Sequence, residues 1–140
     1  MTKTKSALEQ FKAGPWSITI VKRERILFRS NMSGISPLLQ AVHQLGAELD
    51  RADIYDKVIG RAAAFLVVST GIRRVYTPII SQPALEILRR NHRPVSYLKR
   101  VDRILDRNLR DLCPMEKLSL DADTPEQFIR LVTRAYGLSG

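Results

Sequence analysis

Cys113 is followed by Pro114, Met115 and Glu116, an order that sets a thiol where a helix would begin. Proline suits the first helical position, and the unpaired N–H groups of a first turn lower the pKa of a nearby thiol. Cys113 is therefore a candidate nucleophile, with Glu116 as the second candidate catalytic group. Lys117 would assist the thiolate and Glu116 would oppose it unless that carboxylate turns back to cap its own helix. No histidine pairs with Cys113 by spacing, and a lone cysteine also fits a small buried packing residue.

A second set lies at two expected strand-to-helix joins, Asp56-Lys57 and Ser81-Gln82. In open α/β sheets, ligands bind beyond the carboxyl ends of parallel strands, where helix N-termini offer backbone N–H groups and a positive dipole end. Asp56, Lys57, Ser81 and Gln82, with Arg61 one helical turn beyond Lys57, are the candidate contacts for a small anionic or hydroxyl-bearing ligand. The plainer reading makes Asp56 and Ser81 helix caps and Lys57 a solvated side chain.

A third set is basic. If the chain is helical from Lys99 onward, Arg100, Arg103, Arg107 and Arg110 share one face, and Val101, Leu105, Leu109 and Leu112 fall opposite. Such a stripe would contact phosphates by charge with little sequence preference. Only Tyr97 is near enough for base stacking, so the stripe reads equally as a solvated face.

Those residues need elements to hold them. Ile18, Ile20 and Ile26-Leu27-Phe28 around a polar Arg23-Glu24 predict a β-hairpin. Ser36 as cap and Pro37 as first residue predict a helix carrying Leu38, Leu39, Val42 and Leu45 inward. Ala52 to Tyr55 predicts a strand. The next helix is expected over Lys57 to Ser69, apolar nearly all round and so buried. A strand over Arg73–Pro78, a helix over Gln82–Asn91 and a strand over Val95–Leu98 follow. Thr124-Pro125-Glu126-Gln127 is a capping box for a last helix with Phe128, Leu131, Val132 and Ala135 on one stripe. Strands alternating with helices predict an α/β domain: three layers, a mixed sheet with helices on both faces. Residues 1–16 are expected as a flexible arm, with one helical turn around Leu8 and Phe11, and residues 17–140 as one domain.

Three segments carry a family resemblance. Tyr55-Asp56-Lys57-Val58-Ile59-Gly60-Arg61-Ala62-Ala63-Ala64, Ser81-Gln82-Pro83-Ala84-Leu85-Glu86 and Leu112-Cys113-Pro114-Met115-Glu116 resemble the signatures of domain of unknown function 1893, a group of small bacterial proteins. The resemblance runs from about Ser17 to Leu118. It implies a cytidine-deaminase-like fold and no established activity. Zinc deaminases hold their metal with a His or Cys beside a catalytic Glu at one helix start and with Pro-Cys-x-x-Cys at the next. Here the first start reads Asp56-Lys57. In the second, Ala84 and Ile87 stand where the cysteines would be. His43, His92 and Cys113 are scattered, so no metal site and no cofactor is expected.

With 140 residues, 44% of them hydrophobic, the chain is long enough for one core without staples. A single cysteine excludes an internal disulfide and fits a reducing compartment. The polar start MTKTKSALEQ has no apolar leader, and the longest apolar run, Ala62 to Val68, cannot span a membrane. A cytoplasmic protein is expected. The net charge of +9 favours anionic partners. The expected function is a deaminase-like domain without zinc that binds a small anionic ligand, such as a nucleotide, at the helix starts near Asp56 and Ser81. The alternatives are a basic adaptor that takes nucleic acid or an acidic protein on the arginine stripe, and a thiol-dependent enzyme using Cys113.

Overall fold

The β-branched run Ile18–Lys22 forms β1 and pairs antiparallel with β2, Arg25–Ser30. The two-residue connection puts both Arg23 and Glu24 at positive φ, 51° and 66°. That backbone matches the right-handed twist of the hairpin, but side chains bearing a Cβ adopt it under strain. A computed structural model describes residues 2–104 and 114–136 of the chain.

β1 also pairs antiparallel with β3, Asp53–Asp56, and β3 pairs parallel with β5, Arg74–Ser81. β4, Val58–Ile59, pairs parallel with β5 further along, in the register of β3. β3 and β4 are thus successive stretches on one flank of β5. The break falls at Lys57, which that register sets opposite Pro78, a residue with no N–H to give. β6, Val95–Val101, covers the other flank of β5 in parallel. The result is a six-stranded mixed sheet.

The helices lie on both faces. α1, Thr2–Ala13, rests on β5 and β6 on the face that carries Tyr55 and Tyr76, whose rings stack at 4.6 Å. Leu8 is fully buried, and the Phe11 ring lies 5.6 Å from that of Tyr55. The stretch expected as an arm is therefore a docked helix over most of its length. The opposite face presents Ile20, Ile54 and Val75 to the main core. That core is shared by α2 (Ser36–Leu45), α3 (Arg61–Val68), α4 (Gln82–Arg90) and α6 (Pro125–Tyr136). α3 packs on α4, on α6 and on the short α5, Pro114–Ser119. Ala62 through Val67 are all buried, as an all-apolar helix requires. Each large side chain among them contributes roughly 1.5–3 kcal/mol on leaving water.

Several features differ from the sequence reading. α3 starts at Arg61 and not at Lys57, because β-branched Val58 and Ile59 join the sheet and extended Gly60 is the N-cap. Ile35, not Ser36, holds the N-cap position of α2, with no side-chain cap. β6 continues through Lys99 and Arg100 to Val101, paired with Ile79, Ile80 and Ser81, where a helix was expected from Lys99. Ala135 is exposed, outside the buried stripe of Phe128 and Val132. The cap of α6 is close to expectation: Gln127 N–H donates to Thr124 Oγ1 at 3.2 Å, while Gln127 Oε1 accepts from Asp123 N–H at 2.7 Å.

Candidate functional site

At the N-terminus of α3 the first N–H groups have no partner within the helix, and no side chain of the preceding segment caps them. Glu116, arriving on α5, does so. Its Oε2 accepts from Arg61 N–H at 3.0 Å and its Oε1 from Ala62 N–H at 2.8 Å. The residue is 6% exposed, so a carboxylate in that place depends on such donors. Gly60 makes room for it: a Cβ there would lie 2.5 Å from Glu116 Oε1. The place where an external anion was expected beside Arg61 is occupied by the chain's own carboxylate.

Arg61 answers in the reverse direction. Its Nε donates to Ser119 O at 3.2 Å and its Nη2 to Ala122 O at 2.7 Å, across the end of α5. The guanidinium also lies 4.8 Å over the Phe65 ring, which stacks on Phe128 of α6. α3 and α5 thus cap each other, acid to N-terminus and base to C-terminus, the charge placement that helix dipoles favour. Arg61 is not one helical turn beyond Lys57, because Lys57 lies outside α3, and Glu116 caps α3.

The other candidates lie along the parallel strands, Asp56 level with Thr77 of β5, and Ser81 and Gln82 about four residues further on, where β5 gives way to α4. Asp56 ends β3, half-buried, and burial pushes its carboxyl up to about 8, against the opposing pull of the Val58 and Lys57 N–H groups. At pH 7 it is chiefly a neutral acid, a hydrogen-bond donor. Lys57 turns away: its ammonium donates to Gly14 O just past α1 and lies 5.7 Å from the Phe11 ring. Ser81 ends β5, fully buried, and its Oγ caps α4 by accepting from Ala84 N–H at 3.2 Å. Gln82 opens α4 and bridges two charges, donating to Glu86 Oε1 at 3.0 Å and accepting from Arg100 Nη1 at 2.7 Å. Arg100 is exposed on β6 and brings a cation to this edge that belongs to no helical stripe. Arg103 lies beyond the strand, exposed.

Arg107, Arg110 and Cys113 lie outside the described residues. Among the described residues no three His, Cys, Asp or Glu side chains are placed to hold a metal ion, and no helix is long and apolar enough to cross a membrane. Sequence reasoning missed the Glu116–α3 contact, and the only local hint was a glycine at 60 ahead of an apolar helix. It also missed Arg100 as a partner of Gln82, because the tract from Lys99 fits a helical pattern as well as a strand.

Residues 6–135 match the family described as Domain of unknown function (DUF1893). The crystal structure of a DUF1893 family protein from Thermotoga maritima is similar, with a TM-score of 0.83 and 29% identity over 94% of this chain and 88% of that one. Among curated proteins, none matches.

Proposed function

The chain belongs to the DUF1893 family of unknown function, and from that premise we propose that it is a binding domain for a small anionic molecule, a nucleotide being the reference case, held at the carboxyl edge of its parallel strands on a cytidine-deaminase-like scaffold. The observation that carries this reading is the end of β5, where the strand runs into α4 at Ser81 and the exposed Arg100 guanidinium meets Gln82 at 2.7 Å, at the edge where α/β sheets take ligands. Gln82 and the exposed cation of Arg100 supply the polar and charged contacts, and Ser81 fixes the start of α4 beneath them. Lys57 and Arg61 shape this edge through Gly14, Ser119 and Ala122 and are not needed as ligand contacts.

Calorimetric titration with AMP tests the reading. AMP should bind at pH 6.5, and about tenfold more weakly in Arg100→Ala. No binding at millimolar AMP, or binding indifferent to Arg100→Ala, would remove it.

A second reading has its own support. The chain carries 23 Lys and Arg against 14 Asp and Glu, yet among the described residues the only ion pair is Arg73 Nε to Asp53 Oδ1 at 3.0 Å. Such unneutralised charge suits a polyanion, nucleic acid or an acidic protein, and a steep salt dependence of binding would favour it.

A further inference from the structure

On the face of the sheet that carries α1, the helix covers β5 and β6 but leaves the hairpin side open. Between the end of α1 and the β1–β2 hairpin runs a groove of about 430 Å³, within the range of small-molecule sites. Its walls are aromatic and apolar: Phe11, Trp16, Tyr55, and Ile26, which is 51% exposed.

Beside the Gln10 amide, several of its polar groups are donors for which the described residues supply no acceptor. Arg29 lines the groove with its guanidinium 4.7 Å from the Trp16 ring centroid, and it makes no hydrogen bond or ion pair with any described residue. The Trp16 indole N–H likewise has no described acceptor. Thr19 also lines the groove, is 6% exposed, and its buried Oγ1 has no hydrogen-bond partner among the described residues. Leaving a buried hydroxyl unpaired costs about 1–3 kcal/mol, so a native Thr at this place calls for an explanation. The Tyr55 hydroxyl, raised above its ordinary pKa chiefly by burial, stays a donor as well.

We propose that this groove binds a planar aromatic carboxylate, with its ring laid against Trp16 and Tyr55 and its carboxylate on the Arg29 guanidinium and the Thr19 hydroxyl. The ring suits flat walls, since aromatic pairs gain beyond mere area. The carboxylate suits Arg29, whose fork of N–H groups matches two oxygens. An apolar guest would leave Arg29 and Thr19 as they are, and a cation would meet Arg29. The site is separate from the carboxyl edge and does not depend on the AMP reading.

The test uses 2-naphthoate and its neutral methyl ester on the full chain. Trp16 is the only tryptophan, so one indole N–H resonance reports the groove. Naphthoate should bind and shift that resonance, with the ester at least about tenfold weaker. Arg29→Gln should weaken naphthoate about tenfold and leave the ester unchanged. Thr19→Val should weaken naphthoate several-fold without lowering thermal stability, because it removes an unpaired hydroxyl. Arg100→Ala should change nothing here. Absence of naphthoate binding, equal affinity for the ester, or full affinity in Arg29→Gln overturns the proposal.

Discussion

Glu116 and Arg61 hold each other's helices: the Glu116 carboxylate caps α3 through the Arg61 and Ala62 N–H groups, and the Arg61 side chain caps the end of α5 through Ser119 O and Ala122 O. Removing either end leaves buried polar groups without partners. Glu116→Ala strips two short charge-assisted bonds from a buried helix start, so a loss of about 2–4 kcal/mol is expected in urea unfolding. Gly60→Ala should also destabilise, since its Cβ would strike that carboxylate. The double variant should lose less than the two single losses added together, because both act on one contact. Strict additivity would mean the two residues do not meet.

Arg61→Lys is expected to behave as a disruptive change despite keeping the charge. A lysine has no planar fork to reach two carbonyls at once and no guanidinium to lie over Phe65. The loss should fall on α5 and α6 first. Native-state hydrogen exchange should show amides of 116–132 opening at lower free energy while those of β1 and β3 keep wild-type protection.

Asp56 sets a pH dependence whose sign is opposite to that of most carboxylates. Its folded pKa, about 8, lies above the unfolded value near 3.9. Between those values the native state holds a proton that the unfolded chain has lost, so stability falls as pH rises from about 4 to about 8 and levels off beyond. The contribution is whole below pH 4. Asp56→Asn should abolish this slope and be more stable than the parent at pH 8.5, with the gap closing at pH 4. Thermal melts across that range suffice, and an unchanged slope would place the carboxyl in water.

The β1–β2 turn carries strain at Arg23 and Glu24, both left-handed. Asn and Gly are the residues such a two-residue turn prefers. Replacing Arg23-Glu24 by Asn-Gly should therefore raise stability by roughly 1 kcal/mol, net of the extra freedom Gly gives the unfolded chain. An increase in the urea midpoint at constant slope would record it.

The α/β class, the hairpin, the buried α3 and the capping of α4 and α6 were legible in the chain because each rests on local signals. Alternation, an all-apolar helix, and Ser81 or Thr124 ahead of a helix act within one or two turns of their own position. The starts of α2 and α3 and the end of β6 were not. Val58-Ile59 and Lys99-Arg100 suit strand or helix alike, and pairing with β5 decided them.

The sequence by itself determined which segments had to be buried and which residues could cap a helix next to them. Only the tertiary structure decided where the long-range charges went. Glu116 crosses to α3, Lys57 to the end of α1, and Arg100 to Gln82, in each case because a terminus or side chain left unpaired by local structure lies within reach. A hydrogen bond needs its partners within about 3 Å and well aligned. Distances between groups 55 residues apart follow from the sheet and the helix packing, not from spacing along the chain.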